Sequence, residues 1–460
     1  MSKQNIKSLL HINSKTWIKD SNGLYDYESK QTKNLKAFIG ESICITRNGS
    51  DLNSVKNEFM KKNEEMLFNI IKSKEGIYNI GNRININIEP TEENISNLNN
   101  KIWYIINDEG LLNNQINTNQ FHNINKDYYI TKNEIIKLGR VKYIVSEINN
   151  HDNIENKEDL NINQELNNYI NGLNANIDSP FEIIYKVKCL NDEDISKNGE
   201  DKKLCKICFS DEIDKINNPL VHLCKCKGGL NYAHFECIKQ WMKTKLVQIE
   251  NNKKTVKSYY INSFNCEICK TPYPFKFKIN NSEKVFELID IERPSSTNYI
   301  ILESLNQIKD HCNIKSIHII SFINEENILI GRGHDCDVRI RDISVSRYHC
   351  KLRYNKNNNS LLIKDLKSKF GTLVLIKTAF EIKEPNKFQI GRTYIKTSLI
   401  SFEDLINFQR RLKIERTKKT LEKMQENQKI QPTKNDSKYL PLETEYKEKD
   451  SEDNNMDIGD

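Results

Sequence analysis

The chain has 460 residues, with 70 Lys and Arg against 63 Asp and Glu, a formal charge of +7. So small a charge on this length, spread through a Lys/Asn/Ile-rich composition, argues against a nucleic-acid partner. The hydrophobic share is 37% and the charged share 29%, the balance of soluble folded pieces joined by polar stretches. No run approaches the ~18 consecutive apolar residues that cross a bilayer. The length suggests about three domains, each able to bury a core.

The opening MSKQNIKSLLHINSK lacks an apolar core followed by a small-residue cleavage site, so no secretory signal is read. The expected location is therefore the cytoplasm or nucleus, where thiols stay reduced. There, twelve cysteines argue for metal rather than disulfides. Residues 1–150 carry β-like runs, IWYII at Ile102–Ile106 and VKYIV at Val141–Val145, with a helical stretch around Lys56–Lys72. Residues 151–200 are Asn- and acid-rich with little apolar periodicity and read as linker. The cysteine module follows over 201–276, and 277–313 is a connecting segment with a strand-like VFELIDI and a candidate helix at Tyr299–Ile308.

From 314 to 402 short apolar runs crowd together (HIISFI, NILIGRG, DVRI, HCKLRY, LLIKDL), the spacing of a β-sandwich. A charged helix is expected over 403–430 and a polar, increasingly acidic, disordered tail over 431–460. One internal echo links the two ends of the chain: Lys137-LGRVKYIV against Phe388-QIGRTYIK. Either the N-terminal part is a diverged relative of the C-terminal sandwich, or two strand-turn-strand pieces merely look alike.

Eight metal ligands lie in close pairs: Cys205-x2-Cys208, Cys224-x-Cys226, His234-x2-Cys237 and Cys266-x2-Cys269, with gaps of fifteen, seven and twenty-eight residues. Thiolates and imidazole suit tetrahedral zinc, and eight ligands make two closed structural sites. In a module too small for a core of its own the metal supplies the folding energy, on the order of 10 kcal/mol or more per ion. Glycines in Lys227-Gly228-Gly229 permit the reversal before His234. His222 breaks the spacing and reads as a surface residue. Cys44, Cys189, Cys312, Cys336 and Cys350 read as ordinary thiols.

The stretch CKCKGGLNYAHFECIKQW resembles the RING-CH (RINGv, C4HC3) zinc finger of E3 ubiquitin ligases, a small α+β cross-brace. The single residue between Cys224 and Cys226, the seven-residue step to His234 and Trp241 four after Cys237 carry the resemblance. It implies two zinc ions, one on Cys205, Cys208, His234 and Cys237, the other on Cys224, Cys226, Cys266 and Cys269. It also implies binding of a ubiquitin-loaded E2 enzyme, with Ile207, Trp241 and Lys270 at the contact positions and no covalent intermediate on the ligase. A PHD finger, a histone-tail reader, is also C4HC3, and Phe264 sits where that family often has an aromatic. Its usual gaps differ from these, longer between the third and fourth cysteines and shorter before the histidine.

Further on, Gly331-Arg332-Gly333, Ser346-Arg347-Tyr348-His349 and Ser368-Lys369-Phe370-Gly371-Thr372 resemble a forkhead-associated (FHA) domain, an all-β reader of phosphothreonine. The phosphate's charge of about −1.5 to −2 calls for Arg with hydroxyl and backbone donors on adjacent loops. The resemblance implies Arg332 and Ser346 on the phosphate, Arg347 adding positive charge or supporting the groove, Thr372 lining the groove and His349 bracing the loops. The chain departs from the family where Phe370 replaces the usual Asn before Gly-Thr, and where Leu375-Ile376 offers no later Asn.

The fold expected is thus multidomain: a cross-brace module, an FHA sandwich, and an N-terminal mostly β domain read as a degenerate FHA. The function expected is a soluble RING-CH E3 ligase whose partners are an E2 enzyme, ubiquitin and phosphothreonine proteins. The alternatives are a non-enzymatic adaptor or a histone-tail reader.

Overall fold

The structure, a computed structural model, describes residues 8–18, 24, 31–55, 65–73, 76–81, 98–106, 128–149, 184–189, 203–261 except 213 and 215, 264–279, 283–295, 297–305, 315–323, 327–355, 360–401 except 378 and 384, and scattered positions from 403 to 420. The linker reading at 151–183 and 190–200 and the tail at 431–460 lie outside these residues, as does Cys312.

Among the described residues ten strands come first: β1 (Leu9–Trp17), β2 (Thr32–Ile39), β3 (Ile43–Asn48), β4 (Asp51–Val55), β5 (Glu65–Lys72), β6 (Tyr78–Gly81), β7 (Ile102–Ile106), β8 (Tyr128–Ile130), β9 (Ile135–Leu138) and β10 (Val141–Asn149). The cysteine region adds β11 (Ile184–Cys189), β12 (Leu220–His222), β13 (Ala233–His234), the helix α1 (Phe235–Thr244), β14 (Leu246–Glu250), β15 (Val256–Ile261), β16 (Lys276–Ile279) and β17 (Val285–Glu287). Then follow β18 (Tyr299–Ser304), β19 (Lys315–Ser321), β20 (Asn327–Gly331), β21 (Val338–Arg339), β22 (Cys350–Asn355), β23 (Ser360–Asp365), β24 (Thr372–Leu375), β25 (Phe380–Glu381), β26 (Asn386–Ile390) and β27 (Thr393–Ile400).

Two local expectations are corrected. The described end of Lys56–Lys72 is strand β5, not helix; its Leu67, Phe68 and Ile70 fill a core while Glu65 and Ile71 stay exposed. Tyr299–Ser304 is strand β18, buried along its whole length. A strand covered on both faces loses the period-2 alternation that would identify it.

Strand pairing does not follow chain order. Twelve strands share one sheet, β14-β15-β19-β18-β10-β9-β24-β7-β26-β27-β1-β2. Two five-stranded sheets face it, β21-β20-β22-β23-β8 and β25-β6-β5-β3-β4. The hairpin β9–β10 pairs with β18 and β24, far along the chain, while the hairpin β26–β27 pairs with β1 and β7, near its start. The exchange is reciprocal, and β7 and β24 meet antiparallel at its centre, Leu375 opposite Trp103. Both hairpins turn on Gly-Arg, with Gly139 at φ 60° and Gly391 at φ 51°, a left-handed conformation that a side chain resists.

Two sandwich cores result. One gathers Leu10, Ile12, Ile45, Phe68 and Tyr78 with Phe388, Ile390 and Ile395 from the C-terminal hairpin. The other gathers Ile328, Ile330, Leu352 and Ile363 with Leu138, Val141 and Tyr143 from the N-terminal one. In the segment from Phe402 onward, a separate unit, the described positions 403–407, 409–410, 413–414, 417–418 and 420 are helical. Among the described residues no helix is long and apolar enough to cross a membrane.

Candidate metal centre and phosphate loops

The eight ligands converge as two clusters, Cys205, Cys208, His234 and Cys237, and Cys224, Cys226, Cys266 and Cys269. In each cluster the ligand atoms lie within 4.8 Å of one another, and first and third pairs against second and fourth is the interleaved order of a cross-brace. The outer knuckles repeat one geometry. Phe209 N–H closes onto Cys205 O at 2.8 Å, and Lys270 N–H onto Cys266 O at 2.8 Å. Phe209 and Lys270 both turn left-handed at φ 60°. These turns swing both sulfurs of a pair to one side.

His234 caps α1, which carries Cys237 in its first turn and buries Phe235, Ile238 and Met242 on its inner face. The imidazole is oriented from behind: its Nε2–H donates to the Glu212 carbonyl at 2.6 Å, leaving Nδ1 3.2 Å from Cys208 Sγ. A carbonyl on the far nitrogen is the usual support of a metal-bound histidine. Cys226 Sγ and Cys266 Sγ lie 3.7 Å apart, close to the ~3.8 Å edge of a tetrahedron with Zn–S bonds of about 2.3 Å. Without a metal, burial and the neighbouring thiols push Cys226 up to about 12, so four thiolates would not coexist there unaided. The donor sets therefore fit two structural zinc ions.

Lys206 was not anticipated from the sequence. Its Nζ reaches Cys224 Sγ at 3.2 Å and Cys266 Sγ at 3.7 Å, offsetting the negative charge of the all-cysteine cluster. Its position between two ligands, with no spacing rule attached, gave no signal. Ile207 and Lys270 are exposed, and Trp241 is half-buried, edge-on to Tyr273 at 6.1 Å with Lys245 Nζ 5.3 Å from its ring centre.

In the C-terminal sandwich the β20–β21 and β21–β22 loops are stitched together by Arg332 N–H to Ser346 O and Gly333 N–H to Arg347 O, both 2.9 Å. Gly331 permits this approach, since a Cβ there would stand 2.2 Å from Arg347 O. Arg332 is exposed, its Nε donating to Val345 O at 3.2 Å. Ser346 Oγ accepts the Lys369 N–H at 2.9 Å, joining the β23–β24 turn to the other two loops. Buried His349 accepts from Ser346 N–H at 3.1 Å through Nδ1 and reaches Gly371 O at 3.2 Å through Nε2, and burial lowers its pKa.

Arg332, Ser346 and the Lys369 backbone thus converge, with Arg347 exposed beside them. Thr372 does not join them. It is fully buried and its hydroxyl donates to Asp365 Oδ1 at 2.7 Å. As the first residue of β24 it is turned inward by the pleat, where it holds the turn rather than lining a groove.

The two regions are physically continuous. The 28 residues between Cys237 and Cys266 contain the β14–β15 hairpin, and β15 pairs with β19 from Val256↔Ile320 to Ile261↔Lys315. One face of β18–β19 (Tyr299, Ile301, Ile317, Ile319) packs with the cysteine module, while Ile300, Leu302 and Ile320 enter the sandwich core. Ser258 on β15 meets His318 Nδ1 on β19 at 2.8 Å, and His318 Nε2 is buried without a partner.

Burial holds the His318 pKa down to about 4. The folded state keeps it neutral, whereas the unfolded chain takes a proton below about 6.5. Stability from this group is complete above that value and is lost as pH falls toward 4, by about 2 kcal/mol between pH 7 and pH 5. Glu134, raised by burial to about 7, contributes with the opposite sign in the same window. The test is therefore the difference between wild type and His318→Asn in urea unfolding at both pH values. The variant should lose less stability on acidification, and equal losses would exclude His318 as the acid-sensitive group.

A family model for the RING-variant domain matches residues 205–269, and one for the FHA domain matches residues 328–394. The chain is 34% identical over 85 residues to the "ERAD-associated E3 ubiquitin-protein ligase DOA10" of Saccharomyces cerevisiae, 18% of this chain and 6% of that protein. It is 33% identical over 92 residues to the "E3 ubiquitin-protein ligase MARCHF7" of Rattus norvegicus, 19% of this chain and 12% of that one. A solved structure described as "Structural and functional analysis of phosphothreonine-dependent FHA domain interactions" is 26% identical, covering 17% of this chain and 82% of its own, with a TM-score of 0.11. RING-variant domains bind two zinc ions, matching the two clusters found here. The chain carries a RING-variant (RING-CH) zinc domain and, later in sequence, an FHA domain.

Proposed function

We propose that this chain is an E3 ubiquitin-protein ligase of the RING-CH type that selects phosphothreonine-bearing partners through its FHA domain. The observation that carries the reading is the cross-brace of two ligand clusters, one of three cysteines with His234 and one of cysteines alone. The names of the curated relatives, E3 ubiquitin-protein ligases, support it. In this reading Ile207 and Trp241 contact the E2 enzyme and Lys270 contacts ubiquitin. The chemistry is positioning: the E2 thioester is held in a reactive conformation near a substrate lysine, with no covalent step on the ligase.

Arg332 and Ser346 would take the phosphate, Arg332 as a charge-assisted donor and Ser346 with the loop amides. Arg347 adds positive charge beside them, and Phe370 leaves the neighbouring peptide backbone without the amide partner usual in the family. The layout proposed is a RING-CH module at 201–276 and two FHA-like sandwiches, built from 1–150 and 314–402, that exchange their terminal hairpins. The site of action proposed is the cytoplasm or nucleus, with targets found through the phosphate loops.

An in vitro ubiquitination assay across a panel of E2 enzymes tests the ligase. Chain formation should appear with at least one E2 and fall at least tenfold in Ile207→Ala and Trp241→Ala. No chains with any E2 in the wild type would leave the adaptor reading. For the reader, a phosphothreonine peptide library should yield binders that Arg332→Ala loses. An absence of wild-type binders would overturn that half.

A further inference from the structure

The β20–β21 loop that carries Arg332 continues through His334 to Asp337, and there it meets the β14–β15 hairpin arriving from the zinc module. Between them lies a cleft of about 300 Å³ whose walls include Lys253 and Tyr260 from the hairpin and His334, Arg339 and Arg341 from the FHA side. Three acids also line it, and two are engaged. Asp337 accepts from Leu329 N–H at 2.9 Å and meets Asn251 Nδ2 at 3.3 Å and Lys253 Nζ at 3.4 Å. Asp335 accepts the Tyr348 hydroxyl. The third, Glu250, is exposed on β14.

The cations are less well matched. Arg339 Nη2 faces His334 Nε2 at 3.2 Å, a weak partner for a guanidinium, and Arg339 Nε is buried with no hydrogen-bond partner. Arg341 is exposed and has no acid at ion-pair distance among the described residues. A buried donor left unmade is a cost that an incoming acceptor would relieve.

We propose that this cleft is a second anion subsite, built jointly by the zinc module and the FHA loop. It takes the carboxylate or phosphate of a side chain two or three residues from the phosphothreonine. The proposal rests on the FHA domain reading phosphothreonine at Arg332. Reach supports it: Arg332 and His334 are two residues apart, at most about 7.6 Å between Cα atoms, which two or three extended peptide residues span. The subsite makes peptide choice depend on the ligase module itself, since Lys253 and Tyr260 belong to the hairpin between its zinc ligands.

The test uses the full chain and one phosphothreonine peptide made in three forms, with Ala, Glu or a second phosphothreonine at the flanking positions, each side scanned in turn. By fluorescence anisotropy the Glu or doubly phosphorylated form should bind about tenfold tighter than the Ala form, the size of one charge-assisted hydrogen bond. The ratio between them identifies which anion the cleft prefers. Arg341→Gln, at an exposed position, should erase the preference while leaving Ala-form affinity unchanged. Equal binding of all three forms to the wild type, or an equal loss for all three in the variant, overturns the subsite. If no phosphothreonine peptide binds, the FHA reading fails on its own. The cleft is then judged by titrating inorganic phosphate against the arginine Nε resonances in NMR. Shifts at Arg339 and Arg341 that persist in Arg332→Ala uphold it, and their absence overturns it.

Discussion

Stripping the two zinc ions with a chelator is expected to unfold the RING-CH module and to loosen the FHA sheet along β18 and β19. Each structural zinc supplies on the order of 10 kcal/mol, more than the whole stability of many domains. The buried groups of this module give the metal little competition. Its core joins Cys205, Cys224 and Cys266 to Phe235, Phe277 and Phe286, and the ligands themselves are part of it. The same core runs on into Tyr259 and Ile261 of β15 and Ile317 and Ile319 of β19. When the metal leaves, β15 loses its anchor, and β19 becomes an exposed edge with half of its apolar covering gone. Hydrogen exchange read by mass spectrometry checks this. Amides of β18 and β19 should lose protection with the zinc module, while the β1–β27 pair, remote from it in sheet order, keeps its protection. Cys266→Ser should reproduce the pattern without chelator. Full protection of β19 in the stripped protein would mean that the seam contributes nothing to the sandwich.

The zinc ligands are legible in the sequence because metal coordination is encoded locally: two ligands per tight turn, with spacings that admit few alternatives. The Arg332 and Ser346 loops are legible for a similar reason, since Gly331 and Gly333 mark where two backbones come within 2.9 Å. Partner choice between strands is another matter. KLGRVKYIV and FQIGRTYIK look alike, and each forms a hairpin. Nothing local says which sandwich each hairpin closes, because the two accept the same pattern of inward apolar residues. The β18 run YIILES fails as a strand signal because both its faces are covered, one by the sandwich and one by the zinc module. Thr372 misleads for another reason: the family resemblance implies a groove-lining role, yet the pleat turns its hydroxyl inward to Asp365. Lys206 and the β15–β19 seam depend on contacts between segments distant in sequence, beyond the reach of spacing.

Trp103→Ala should destabilise both sandwiches at once, by about 3–5 kcal/mol. Trp103 is fully buried on β7, opposite Leu375 of β24 on one side and Gln389 of β26 on the other. Its indole N–H donates to Leu98 O at 2.9 Å, a carbonyl that also accepts the Lys101 N–H at 3.1 Å, so truncation removes one of two hydrogen bonds there. Around it pack Ile135 and Ile144 of the N-terminal hairpin, Leu373 and Leu375 of β24, and Leu305 beyond β18. Lys137 Nζ lies 5.6 Å from the ring centre, its pKa lowered by burial to about 7. The cavity would therefore open where the exchanged hairpins and the two central strands meet, not inside either sandwich core. If the exchange makes the pair one folding unit, denaturant unfolding stays a single transition with a lowered midpoint. Protection should then fall together at β1, whose partner β27 comes from the far end of the chain, and at β18, whose partner β10 comes from the near end. Loss at only one of these strands would mean that each sandwich folds on its own and that the exchanged hairpins transmit no stability between them. Trp103→Phe, which keeps most of the ring volume but not the indole donor, separates the cavity from the hydrogen bond. A loss close to that of the alanine variant would place the weight on the bond to Leu98.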